Sequence, residues 1–314
     1  MVAPLVDRGE RSTPPAPTPA PTLAAEPIEA SGESIPPPPR EAAEQLAERL
    51  REEHPWARFE PGAWRKVRIV SEAFDERGQV VGGSLAEQTD RLVSIDSQSY
   101  TIQTERVVTL AGRSTRRPIE TRRLSLWNDL GADAGPLKVT RGDRTSISLG
   151  GVAVPSQAWE LEQHTPAGLE VETLYTSLDG PPLVLRREQQ SIVDDSPATL
   201  RVYAVVRRGQ PLLMGESLVE SWQTTETIEQ TSGARSETLG VYTTQAPGGL
   251  VHETLNATDA AGTRARWAVT ELVEWGRDPD ETLAYRADGE RGPSVEIEIR
   301  PRQLLRMLRR GEPE

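Results

Sequence analysis

His54, His164 and His252 are the three imidazoles with which this 314-residue chain could hold a metal or move a proton near neutral pH. A zinc-type centre needs three or four converging ligands. No HExxH or His-x-His pair occurs, and no spacing draws the three together, so they read as surface or rim residues and no metal site is expected. The chain has no cysteine, which removes thiol catalysis, Cys-ligated zinc, iron–sulfur clusters and disulfides. A nucleophilic serine would need a Gly-x-Ser-x-Gly elbow between a strand and a helix. Gly82-Gly83-Ser84 has the small residues without the helix. No GxGxxG or Walker loop offers a phosphate cradle, and paired-acid chemistry depends on a separation in space that sequence does not carry. Arg141-Gly142-Asp143 matches an adhesion tripeptide and Asn256-Ala257-Thr258 a glycosylation sequon, but both motifs are short enough to arise by chance. No catalytic or cofactor-binding residue is assigned and no cofactor is implied. Whether the chain is an enzyme stays open, with the balance against it.

The remaining candidates are aromatic. Seven Trp stand against two Phe. Trp159, Trp222, Trp267 and Trp275, with Tyr175 and Tyr242, fall on or beside positions that alternation turns inward. Core packing is their default role; the functional alternative is that they line a concave apolar cavity.

The elements that would position them read as follows. From Trp64 to Trp275 apolar and polar residues alternate with period two, broken by Gly, Asp and Pro. Val67 and Ile69 alternate with charged neighbours. Leu212, Met214, Leu218 and Trp222 share one parity in 211–222, as do Trp267, Val269, Val273 and Trp275 in 264–275. Strands with one buried and one wet face favour an antiparallel sheet. Turn signals recur at Asp75–Gly78, Asp96–Ser99, Thr165–Gly168, Arg208–Pro211 and Asp259–Gly262. The body, 60–275, is therefore expected to be all-β. Ahead of it, residues 40–54 place Ala43, Leu46 and Leu50 at helical spacing and predict a short amphipathic helix that must dock to persist.

Residues 1–39 hold 11 of the 26 prolines and few apolar groups, the composition of a disordered spacer. Residues 276–314 read as a loop, a short strand at 294–299 and a basic helix at 301–310, where Leu304, Leu305 and Leu308 oppose Arg302, Arg306, Arg309 and Arg310. A repeat is also suggested. Trp159, Tyr175-Thr176-Ser177 and Leu183-Val184 are echoed by Trp222, Tyr242-Thr243-Thr244 and Leu250-Val251, giving units at about 150–192 and 212–275.

Charge narrows the partners. With 48 acidic against 36 basic residues the net charge is −12, so a general nucleic-acid binder is not expected. No run of about 18 apolar residues occurs, hence no transmembrane helix. The N-terminus lacks the basic and apolar regions of a signal peptide. The expected place is the cytoplasm as written, or the periplasm or cell envelope if an upstream signal is missing.

Pro61-Gly62-Ala63-Trp64 followed by a charged strand and hairpin, and the units Tyr175-Thr-Ser to Leu183-Val184 and Tyr242-Thr-Thr-Gln-Ala-Pro-Gly-Gly-Leu-Val, resemble uncharacterised planctomycete-type bacterial envelope proteins. The resemblance spans roughly 60–275. It implies a mainly β fold with a strongly curved antiparallel sheet or half-barrel, distantly similar to lipoprotein carriers, two related β-units and short terminal helices. No catalytic residue is implied. This chain departs from the pattern in lacking a lipobox cysteine and the Cys that relatives often carry where Trp159 or Trp222 begins a strand. The function expected is a non-catalytic envelope protein that binds an apolar or extended ligand, or another envelope protein, on the curved sheet. The alternatives are a hydrolase with an unsignatured loop site and a cytosolic protein-interaction module.

Overall fold

The computed structural model describes residues 39–96, 99–126, 136–278 and the backbone of 283–284. The expectations for the Pro-rich leader up to residue 38, the strand at 294–299 and the basic helix at 301–310 lie outside the described residues.

Among the described residues, one helix, α1 (Pro39–Glu53), precedes the sheet. The first group of strands is β1 (Trp64–Phe74), β2 (Val80–Ile95), β3 (Ser99–Leu110), β4 (Arg113–Arg116) and β5 (Glu120–Ser125). The second is β6 (Leu137–Leu149), β7 (Val152–Thr165), β8 (Gly168–Ser177), β9 (Val184–Val193) and β10 (Ser196–Met214). The third is β11 (Ser217–Gln230), β12 (Arg235–Thr243), β13 (Leu250–Thr258), β14 (Arg264–Gly276) and the short β15 (Leu283–Ala284). All join one antiparallel sheet, ordered β4-β3-β2-β1-β14-β13-β12-β11-β10-β9-β8-β7-β6, with β5 beside β3 and β15 beside β14. β5 and β6, successive in the chain, lie at opposite edges. These edges do not pair, so the sheet is open.

It is nevertheless curved. Ser125 and Leu126, beside β3, and Pro181 to Val184, at the β8–β9 corner, line the same cavity although seven strands separate β3 from β9 in the sheet order. Only a sheet rolled toward a half-barrel can do this. Helix α1 lies on the inner face at one end. Its Ala42, Leu46 and Leu50, at four-residue spacing, are buried against Val139, Trp159, Leu161, Leu174 and Leu183. Ala43, expected in the stripe, sits at its margin. The chain then crosses the inner face toward the other end, where Trp56 packs with Leu92, Tyr100, Ile102 and Leu126. Trp56 is locked there by Arg65, whose guanidinium lies 5.4 Å from its ring and reaches Asp90 at 3.2 Å and the Gly248 carbonyl at 3.2 Å.

Two strand readings need correction. Residues 211–222 are not one strand but the end of β10, a turn at Gly215-Glu216 (φ +62° at Gly215) and the start of β11. The Leu212–Met214 and Leu218–Trp222 parities therefore belong to two strands, and Leu212 faces Val219 across them. The expected turn at Arg208–Pro211 is instead a bulge inside β10, opposite Trp222. In β14, Val273 is an extra residue opposite β1 between Glu274 and Leu272. That bulge reverses parity. Trp275 pairs with Arg65 on the inner face, whereas Trp267 pairs with Glu72 on the outer one.

The β6–β9 and β10–β13 segments share several corner details. Ser177 N–H donates to the Leu183 carbonyl at 2.7 Å, and Thr243 N–H to the Gly249 carbonyl at 2.8 Å. Ser156 and Ser221 each give a hydroxyl hydrogen bond to the carbonyl opposite, of Thr145 and Gln210. The Trp and Tyr residues do not follow this match. Trp159 stands opposite Leu174 and Tyr175 opposite Ala158, while Trp222 stands opposite Tyr242.

Candidate functional site

The inner face is neither an empty groove nor a solid core. Between the α1 cluster and the Trp56 cluster it leaves a cavity of about 410 Å³. The floor comes from β9 to β13, and register explains why these side chains meet. Directly paired residues of antiparallel strands point to the same side. One rung runs Arg187, Tyr203, Glu226, Thr238. The next runs Thr224, Gly240, Glu253. A third places Trp222 beside Tyr242. The rim is mostly apolar, with Leu50 and Pro55 from the end of α1 and its following turn, Leu126, and Pro181 to Val184 at the corner, and it also carries Glu53, His54 and Ser125.

Gly240 shapes the floor by having no side chain. A Cβ there would meet the Tyr242 ring and stand 2.8 Å from Thr224 Oγ1. The Tyr242 ring thus lies back over the glycine, stacked on Trp222 with centroids 6.3 Å apart and planes 15° from parallel.

Electrostatically the floor is paired almost throughout. Arg201 Nε donates to Glu226 Oε1 at 2.6 Å. Arg187 Nε lies 2.9 Å from Glu172 Oε1, on the neighbouring β8. On the rim, Glu53 is paired with Arg58. Glu253 differs. Its one hydrogen bond comes from the Tyr242 hydroxyl, at 3.4 Å, and among the described residues it has no cationic partner within ion-pair distance. Burial raises its carboxyl above the usual range, opposed by the Tyr242 hydroxyl, raised further by Glu226 and lowered by Arg65 and His252. Burial likewise raises Tyr203, against the pull of Arg187 and of the Trp222 N–H, and raises Tyr242, where Glu253 adds to it. Both phenols stay protonated donors at neutral pH.

The sequence-derived candidates separate into three groups. Trp222 and Tyr242 line the cavity. Trp159 is core, 2% exposed, its Nε1–H donating to Thr176 Oγ1 at 2.9 Å. Trp275 is buried with Val67, Val251 and Leu272, and Tyr175 packs half-buried against the Ile147–Leu185 cluster. Trp267 lies half-buried on the outer face. The histidines are not brought together. His164, exposed on β7, and His252, on β13 beside Glu271, are separated by five strands, and His54 lies at the cavity rim with its ring 4.7 Å from that of Tyr100. Among the described residues no three His, Asp or Glu side chains converge as a metal would require. No described helix is long and apolar enough to cross a membrane. Arg141-Gly142-Asp143 forms a bulge whose Gly142 and Asp143 carbonyls accept from the buried Gln157 amide at 2.6 and 3.3 Å, so the tripeptide is built into the ladder.

Sequence reasoning missed Arg187, Arg201, Tyr203, Glu226 and Glu253. The available signal was a shared parity of polar and aromatic residues, as in Arg201-x-Tyr203-x-Val205 or Trp222-x-Thr224-x-Glu226. That pattern reads equally well as a solvated face.

No family model matches the chain, and no curated protein does. Among solved structures, one described as an exported protein with a YmcC-like fold from Bacteroides fragilis aligns at 8% identity and a TM-score of 0.26, over 68% of this chain and 98% of that one. Salmonella typhi OmpF, in complex with daunomycin, aligns at 9% identity and a TM-score of 0.19, over 68% and 97%. Alignments this loose fix neither a fold family nor a function.

Proposed function

We propose that the chain is a binding protein of the cell envelope that holds a small or extended ligand on the inner face of its curved sheet. One observation carries the binding reading: five adjacent strands aim aromatic and polar side chains into a single cavity of about 410 Å³ that α1 borders but does not fill. That volume lies within the range of small-molecule sites. Polar groups at the centre of an inner face, where apolar packing would stabilise the sheet more, are what a ligand needs for orientation. The floor also argues for a ligand less purely apolar than the tryptophan content suggests. Its apolar surfaces are the rim and the Trp222–Tyr242 stack, and its centre is charged and hydroxylated. The envelope setting rests on the resemblance of the 60–275 segment alone.

The cavity is tested by filling it. Gly240→Leu places a branched side chain where Tyr242 and Thr224 now meet. In a small-molecule binding screen monitored by NMR on the full chain, hits for the wild type should be lost in this variant while its far-UV circular dichroism is retained. Hits that bind both forms equally would overturn the proposal. Cell fractionation of the full-length protein in its source organism tests the envelope setting, and recovery in the soluble cytoplasmic fraction would contradict it.

A further inference from the structure

Every charged group on the floor of the cavity except Glu253 is matched by an opposite charge at 2.6 to 2.9 Å. Arg201 and Arg187, which would otherwise favour an anion, are neutralised by Glu226 and Glu172. Glu253 faces the cavity across from Gly240, the one position on its rung without a side chain, so nothing from β12 screens it but the Tyr242 hydroxyl. Three aromatic rings, Trp222, Tyr203 and Tyr242, line the same space. An unmatched carboxylate beside ring faces is the chemistry that recognises an ammonium group, the rings attracting the cation through their quadrupoles and the carboxylate supplying the countercharge. The apolar rim of Leu50, Leu126 and Leu183 suits the carbon substituents of such an ion.

Resting on the reading of this cavity as a binding site, we infer that its ligand is a small organic cation, an alkylammonium head held between Glu253 and the Trp222–Tyr242 stack. A desolvated carboxyl with its proton affinity raised by burial gains most from a cation that restores its countercharge. The groups facing Glu253 are the Tyr242 hydroxyl on β12, Glu226 on β11, Arg65 on β1 and His252 on its own strand. None is a cation within ion-pair reach. Because a quaternary ammonium is charged at every pH, its affinity should rise with pH as Glu253 ionises.

The test is calorimetric titration of the full chain with choline chloride, n-butylammonium chloride and 3,3-dimethylbutan-1-ol, the uncharged isostere of choline. The inference expects at least one of the two cations to bind tenfold or more tighter than the alcohol, about 1.4 kcal/mol. It expects Glu253→Gln to remove that preference with the melting curve retained. Trp222→Leu should weaken the cation several-fold and leave the pH dependence in place. Equal binding of cation and alcohol, unchanged by Glu253→Gln, would overturn the inference and leave the cavity a binding site for neutral ligands. No binding of either cation overturns it as well, and the Gly240→Leu screen then judges the cavity separately.

Discussion

Replacing Trp159 and Trp222 by alanine in parallel separates packing from lining. Trp159 is 2% exposed and touches both α1 and the sheet through Leu46, Leu50, Leu174 and Leu183. Truncating a buried Trp costs ~3–5 kcal/mol. Loss of the hydrogen bond to Thr176 adds ~1 kcal/mol, since the Thr176 hydroxyl, fully buried, keeps only a long bond to the Gln157 carbonyl. Trp159→Ala should therefore lose about 4–6 kcal/mol. Trp222 is half-buried, with one flank toward the cavity, so its truncation should cost roughly 1–2 kcal/mol by the scaling of stability with area removed from water. At a urea slope of ~2 kcal/mol/M, the midpoints should fall by ~2–3 M and ~0.5–1 M. Far-UV circular dichroism during urea unfolding reads both. Losses of equal size, or a larger one at Trp222, would show that the cavity is packed and the division between core and lining is wrong.

Three further outcomes follow from the geometry. Gly248→Ala should lose ~2 kcal/mol, since φ is +70° and the new Cβ would stand 2.9 Å from the buried Trp56 ring; thermal melting checks this, and a neutral effect would mean that the 243–249 corner does not hold Trp56. Asp90→Ala should cost ~3–5 kcal/mol in urea unfolding, because Asp90, 4% exposed, accepts from Arg65, Thr104 and Gln88 at 3.2, 2.9 and 2.8 Å; a loss under ~1 kcal/mol would place the pair in the class of solvated ones. Glu253→Gln should be as stable as the wild type or more so at neutral pH. Folding raises this carboxyl, so the native state binds the extra proton between the unfolded pKa of ~4.3 and the raised value, and wild-type stability falls as pH rises through that window. Melting temperatures across pH 4–8 should show the variant gaining on the wild type toward high pH, and the opposite trend would assign Glu253 an unseen cationic partner.

Much of the sheet was legible because period-two burial repeats in many strands, and a short helix with an apolar stripe at helical spacing has one stable use, docking, although the buried alanine of that stripe is Ala42 rather than Ala43. What the sequence hid has a common physical cause. A β-bulge adds one residue and reverses every later side chain, so Trp267 and Trp275, of one parity in the sequence, face opposite sides across Val273. The bulge opposite Trp222 similarly made a turn of Arg208–Pro211. The likeness of Tyr175 and Tyr242 is one of residue type, because register turns the first away from Trp159 and the second onto Trp222. The charged floor was hidden for a different reason. Alternation identifies a polar face without saying whether water or a curved sheet covers it, and Glu253 and Glu226 stand on a polar face turned inward.

The central claim, that the inner face is a ligand site centred on Trp222, is tested most directly by 19F NMR on protein labelled with 5-fluorotryptophan. The Trp222 resonance would be assigned with Trp222→Phe and followed during titration with small amines, alcohols and carboxylates. The account predicts that a saturable ligand shifts the Trp222 signal and leaves that of Trp159 in place. Ligands that move Trp159 or other indoles while Trp222 stays fixed, or a Trp222 signal indifferent to every compound, would contradict it.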